Sequence, residues 1–110
     1  MIWNFRWKAK AVADFDGDGK ADILWQDTTS GDVAIWMMDG TSIVGGGLVV
    51  GGMLNWHVLA VADYNGDGRS DVLWQNTGDG GVFVWFMDGT TITSGSGYVV
   101  NGMPSEWQAK

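Results

Sequence analysis

Cysteine is absent from the 110 residues, so neither a disulfide nor a thiolate metal site is available. Its absence fits an oxidising compartment. Basic residues are scarce: six lysines and arginines stand against thirteen aspartates and glutamates, for a formal net charge of -7. A chain with a sequence pI near 4.2 has no electrostatic grip on a phosphate backbone, which argues against nucleic acid as a partner. No apolar run approaches the roughly 20 residues of a membrane span. The opening Met1-Ile-Trp-Asn-Phe-Arg-Trp-Lys8 also lacks the apolar centre of a signal peptide. Helix caps and helical periodicity are missing. Catalytic groupings are thin too. The only histidine, His57, suggests no serine or cysteine partner, and no glycine-rich phosphate cradle with its lysine appears. Carboxylate pairs of the kind that hydrolyse glycosides exist in form, but the conspicuous ones belong to two acidic loops with a different logic. No enzyme is expected.

What the chain does contain is a duplication. Asp14-Phe-Asp-Gly-Asp-Gly-Lys-Ala-Asp22 returns 49 residues later as Asp63-Tyr-Asn-Gly-Asp-Gly-Arg-Ser-Asp71. Residues 7–44 align with 56–93 without a gap, and 21 of the 38 positions are identical. Trp7, Leu24-Trp25-Gln26, Trp36 and Met38-Asp39-Gly40 match Trp56, Leu73-Trp74-Gln75, Trp85 and Met87-Asp88-Gly89. Past Ile92 the second copy gains one residue, which sets Val49-Val50 against Val99-Val100. After a further insertion Trp107 stands opposite Trp56, and Trp107-Gln-Ala-Lys110 opens a third copy. The chain therefore divides into a first unit at residues 1–55 and a second at 56–110 with the stub of another. Near-identical copies and a break at a repeat edge are what an excised or engineered fragment has.

Within a unit the apolar runs are short and separated by turn residues, which predicts strands. Residues 9–14, 22–26 and 33–38 are expected as three strands. Asp39-Gly40 is a tight-hairpin signal leading into a fourth at residues 41–44. Gly45-Gly-Gly-Leu-Val-Val-Gly-Gly52 is expected as a connection to the next unit. With 45% hydrophobic residues, 13% of the chain aromatic, the apolar content suffices for a packed all-β domain. Four antiparallel strands in about 49 residues is the size of one β-propeller blade. Ala11, Ala13, Ala60 and Ala62 suit an innermost strand, where blades crowd around the axis.

The two acidic loops, the Ile23-Leu24-Trp25-Gln26 and Val72-Leu73-Trp74-Gln75 runs that follow them, and the Trp-Met-Met-Asp-Gly and Trp-Phe-Met-Asp-Gly segments resemble the FG-GAP/VCBS repeat family. That family supplies the blades of integrin α-subunit propellers and of many bacterial extracellular proteins. The resemblance covers almost the whole chain. It implies a calcium ion in each loop, about one per repeat. The first would be held by the side chains of Asp14, Asp16, Asp18 and Asp22 with the carbonyl of Lys20. The second would be held by Asp63, Asn65, Asp67 and Asp71 with the carbonyl of Arg69. The residues agree: donors made only of oxygen favour a hard cation, and Gly19 and Gly68 stand where the loop must turn. Trp25 and Trp74 occupy position 12, where an EF-hand loop needs glutamate. A metal-free Asp/Gly turn is the plainer alternative, but four carboxylates within nine residues repel one another unless a cation or proton intervenes. The expected role of the ion is structural.

Eight tryptophans have two readings. Trp25, Trp36, Trp74 and Trp85 lie within strands and are expected to pack between blades. Trp7, Trp56 and Trp107 stand at the entry to each unit and are candidates for stacking on a sugar, since some fungal lectins resembling this family hold glycans between blades. His57, in place of Lys8, is expected to be exposed. Two blades leave two open faces, and propellers close rings of roughly four to eight blades. Head-to-tail association of identical chains is the expected solution, six blades as a trimer being favoured over eight as a tetramer. The reading is a non-catalytic calcium-binding propeller module for extracellular adhesion or ligand recognition, secreted or on the cell surface in its parent. The alternatives are a lectin and a purely structural self-assembling repeat. Possible partners are the chain itself and a glycan or extracellular protein.

Overall fold

The computed structural model describes residues 7–100, so Trp107 and the stub of a third copy lie outside the described residues. The first repeat forms β1 (Trp7–Ala13), β2 (Asp22–Asp27), β3 (Val33–Asp39) and β4 (Ser42–Val50), an antiparallel meander in the order β1-β2-β3-β4. The second forms β5 (Trp56–Ala62), β6 (Asp71–Asn76), β7 (Val82–Trp85), β8 (Met87–Asp88), β9 (Thr91–Ile92) and β10 (Gly97–Val100). Here β5, β6, β7 and β10 make the matching sheet, while β8 and β9 pair as a short ribbon. Each repeat is thus an all-β, blade-like sheet. The described residues contain two of them and no closed ring.

The register explains the core. Alternate residues of a strand face opposite ways, so Leu24 and Ile35 of the first sheet point one way while Ile23, Trp25 and Trp36 point the other. Leu24, Ile35, Val33 and the loop residue Phe15 join Val72, Trp74, Trp85 and Met87 of the second sheet in one buried cluster. The two sheets therefore bury facing sides against each other. Each such side chain contributes roughly 1.5–3 kcal/mol of transfer free energy. Ala11 and Ala13 of β1 and Val58 and Val61 of β5 pack against the same cluster, where the two first strands meet.

Three expectations need correction. Gly45 to Val50 is not a connection: β4 runs through it, with Gly45, Gly46 and Gly47 opposite Met37, Trp36 and Ile35. A side chain on Gly46, whose φ is 117°, would sit 2.1 Å from the Ile35 carbonyl oxygen. Glycine lets this strand lie close on its neighbour, so what looked like a linker composition is a strand edge. Secondly, Trp74 and Trp85 are buried but Trp25 and Trp36 are only half-buried. The first pair faces the other sheet and the second pair faces outward, although the rings of each pair meet alike, tilted, with centroids 4.8 Å and 5.0 Å apart. Thirdly, His57 is half-buried and lines a shallow depression with Lys10, Gln26 and Thr77.

The extra residue of the second repeat falls between β9 and β10. Thr93 N–H and its hydroxyl donate to the Phe86 carbonyl, and Ser96 Oγ accepts from Phe86 N–H. This bulge splits into β9 and β10 what β4 covers as one strand, although the β3–β4 register itself shifts at Val33/Ala34 and at Met37/Met38.

Candidate metal centre

Each acidic loop joins the first strand of its sheet to the second, and its conformation is written in aspartates and glycines. Gly17 and Gly19 have φ of 78° and 85°, and Gly66 and Gly68 have 75° and 86°. Only glycine adopts these values without strain. The sequence identified Gly19 and Gly68 as the turn positions; Gly17 and Gly66 turn equally. Asp14 closes the loop from within. Its Oδ1 accepts N–H bonds from Gly17 at 2.8 Å and Asp18 at 3.2 Å, and its Oδ2 one from Gly19 at 2.8 Å. Asp63 repeats this with Gly66, Asp67 and Gly68 at 2.8, 3.1 and 2.8 Å. Lys20 N–H donates to Asp18 at 2.8 Å and Arg69 N–H to Asp67 at 2.9 Å. Two loops of different sequence thus hold one geometry.

The ninth-position aspartates do more than the sequence indicated. Asp22 and Asp71 are fully buried at the base of the loops. Asp22 accepts Phe15 N–H and Met38 N–H at 3.2 and 2.9 Å; Asp71 accepts Tyr64 N–H and Met87 N–H at 3.0 and 2.9 Å. Asp22 thus ties its loop to the end of β3, and Asp71 ties its loop to β8. Their place at the start of a strand was visible, but the partner sixteen residues onward was not.

Convergence of the side chains is the site's main property. Asp14, Asp16, Asp18 and Asp22 each offer a carboxylate oxygen, and these oxygens lie within 4.8 Å of one another; Asp63, Asp67 and Asp71 do the same in the second loop, beside Asn65. Crowding shows in the proton affinities. Burial pushes the Asp16 carboxyl up to about 6, its contacts with Asp14 and Asp18 and the charge of Asp22 adding to the effect. Burial also raises Asp71, helped by the charge of Asp67 and opposed by the N–H bonds from Met87 and Tyr64. Asp14 moves the other way: burial would raise it, yet the N–H groups of Gly19, Gly17 and Asp18 and its contact with Asp16 hold it below its usual range. The Gly68 N–H leads the groups that hold Asp63 down. An all-oxygen, anionic nest with glycine-turned backbone fits a hard divalent cation.

The loops are not independent. Ser70 N–H of the second loop donates to the Asp14 carbonyl at 2.7 Å, and Gly89 N–H of the β8–β9 turn donates to the Phe15 carbonyl at 2.9 Å. The Arg69 stem lies over Gly17, its Cγ 3.2 Å from where a β-carbon would be. Its head forms ion pairs with Asp67 at 3.5 Å and Asp88 at 3.3 Å, the latter without hydrogen-bond alignment.

The candidate sugar-stacking residues are not gathered into one site. Trp7 heads β1 opposite Asp27. Trp56 heads β5 and meets Phe83 and Tyr98, with centroids 6.1 and 6.2 Å away. Together with Met53 and Trp85 these three line a pocket of about 130 Å³. Its aromatic wall was not legible from the repeat, because Phe83 and Tyr98 answer to Ala34 and Leu48 in the first copy.

A family model described as FG-GAP-like repeat matches residues 14–74, a span that begins at the first acidic loop and ends in β6. No curated protein and no solved structure gives a match.

Proposed function

The chain belongs to the FG-GAP-like repeat family, and on that premise we propose that it is a non-catalytic, calcium-binding β-propeller-type module for extracellular adhesion or ligand recognition. The observation that carries the reading is the convergence of four carboxylates in the first loop and three plus Asn65 in the second, on matching backbone geometry. Asp14, Asp16, Asp18 and Asp22, with the Lys20 carbonyl, hold the first ion. Asp63, Asn65, Asp67 and Asp71, with the Arg69 carbonyl, hold the second. A bound dication supplies the positive charge that this nest lacks. With both loops filled the formal charge falls from -7 to about -3, since each ion cancels two charges. The ion's part is to pin the turn between two strands, and the module acts by what its surface presents. A secreted or cell-surface location accords with a metal of this kind and with a chain free of cysteine.

Calorimetric titration with CaCl₂, followed by thermal melting with and without chelator, tests the reading. Two ions per chain and a raised melting temperature are expected. Saturation at a hundredfold excess over Kd adds about 2.7 kcal/mol per site. Absence of both heat and shift would overturn it.

A second reading, glycan binding, draws on the Trp56–Phe83–Tyr98 wall, because the first blade packs without these aromatics. It ranks behind. The lining residues bring no charged or amide side chain for sugar hydroxyls, and about 130 Å³ is small beside the roughly 300–1,000 Å³ of ordinary ligand pockets. Binding on a glycan array, lost in Trp56→Ala, would move it forward.

A further inference from the structure

The chain carries one finished contact between repeats around the first acidic loop, and the unmatched loop groups of the same contact on each outer side. In the finished one, the first repeat presents its loop: Phe15 side chain, the Asp14 and Phe15 carbonyls, and Gly17. The second repeat presents Val72 and Met87, the Ser70 and Gly89 N–H groups, and the Arg69 stem. Every one of these groups has a counterpart in the other repeat, 49 residues away. These counterparts at the loop and strand ends are open, while Leu73, Val82 and Val84, which answer to Leu24, Val33 and Ile35, are already buried beside Leu59, Ala60 and Phe86. Phe15 is 0% exposed, whereas Tyr64 is 46% exposed. A β-carbon on Gly17 would meet Arg69, whereas one on Gly66 would meet nothing within 4 Å. Val72 and Met87 are fully buried, whereas Ile23 and Met38 are half-buried. Ala21 and Gly40, which answer to Ser70 and Gly89, are exposed.

From this we propose that a second copy of the chain docks head-to-tail, its first repeat seating on the second repeat of its neighbour as the second repeat seats on the first within one chain. The proposal rests on the blade reading of the repeats and not on the metal. The contacts follow from the register. Ala21 N–H of the incoming copy donates to the Asp63 carbonyl, and its Gly40 N–H donates to the Tyr64 carbonyl. Its Lys20 lies over Gly66 as Arg69 lies over Gly17. Tyr64 enters the side chains around Ile23 and Met38. The chemistry on each half is preserved: Tyr64 keeps the ring of Phe15, Lys20 keeps the stem and charge of Arg69, and the donors and acceptors are backbone. The second metal loop is therefore completed by the neighbour, as the first is completed from within. Such a contact is heterologous, so it propagates until rotation closes it. Three chains close six blades and four close eight, within the roughly four to eight blades that propeller rings hold.

Light scattering on the whole chain, with two face-specific variants, tests this. Wild type is expected at three or four chain masses. Ile23→Lys spoils only the incoming face and Tyr64→Lys only the receiving face, so each alone falls to one chain mass. Mixed in equal amounts, they form a one-to-one dimer and nothing larger, because each supplies the face the other lacks. A monomeric wild type overturns the proposal, as does a mixture that stays monomeric while both variants keep the wild-type far-ultraviolet dichroism. If a variant loses that dichroism, the wild-type mass alone decides. The calcium-dependent melting shift, read on the same samples, separates the outcomes: a monomer that keeps the shift refutes the docking alone, and an assembly without it refutes only the calcium reading.

Discussion

Asp16 and Asn65 occupy the same place in two otherwise matching loops, so the pair isolates one charge. Both oxygens accept an N–H two residues on, at 3.3 Å in each loop, which leaves charge as the main difference. The first loop should bind Ca²⁺ more tightly, Asp16→Asn should weaken it, and Asn65→Asp should tighten the second. Calorimetry with each variant measures this, and unchanged affinities in both would sink it. The same residue sets a pH dependence whose sign can be worked out. The folded Asp16 carboxyl, raised to about 6, lies above the roughly 3.9 of an unstructured aspartate. Folding therefore takes up a proton there. The stabilisation is full below about pH 4 and is lost as pH rises through about 6. In chelator, Asp16→Asn should melt higher than wild type above about pH 7 and show no such advantage near pH 4. In calcium the order at neutral pH reverses, because the ion uses the carboxylate. Melting profiles that run parallel across this range would contradict the assignment.

Among elements, the turns and strand starts were legible because their residues leave no choice. Asp39-Gly40 announced a hairpin, and Asp39 indeed pairs with Ser42 around Gly40, whose φ is 62°. A glycine with positive φ at the first central position is the type II′ pattern. Neighbouring strand residues such as Leu24 and Trp25 face opposite sides; which side meets the other sheet depends on the second repeat, and no local signal carries that. Hence the four tryptophans, all expected to pack between blades, divide into a pair buried against the other sheet and a half-buried pair on the outer face. The stretch from Gly45 misled for a related reason. Glycine is read as a breaker by propensity, but beside Ile35 and Trp36 it is required by close approach. Gly31 offers the sharper test. Its φ is 80° and an added β-carbon would stand 2.1 Å from the Leu54 nitrogen, against the segment whose Met53 N–H donates to the Gly31 carbonyl. Gly52 has φ of 75° with nothing near. Gly52→Ala should therefore cost only the left-handed strain of about 1–2 kcal/mol. Gly31→Ala should cost that plus an overpacking term of roughly 1–3 kcal/mol. Chemical denaturation measures the difference, and equal losses would mean the connection yields freely.

For the whole molecule, the central fact is that the loops expected to act one per blade bridge the two blades. Asp14 and Phe15 belong to the first repeat, yet their carbonyls take N–H groups from Ser70 and Gly89, and the Phe15 ring is buried in the cluster shared by both sheets. Sequence could count the repeats, because identical words are visible, but it could not locate contacts between them. Pinning the first loop should then steady the second sheet as well. The alternative is that each loop stabilises only its own blade, as a one-dimensional array with weak junctions would allow. Hydrogen exchange on Asp67→Ala, which weakens the second metal loop and leaves the first intact, distinguishes the two. Calcium should slow exchange at Ser70, at Gly89 and along β6 in that variant, although the carboxylates proposed to hold the remaining ion belong to the first repeat. The expected slowing is about a hundredfold at a hundredfold excess over Kd, if those amides exchange through opening that releases the ion. Protection confined to β1, β2 and β3 would show that the junction does not transmit, and that the two blades share a surface without sharing stability.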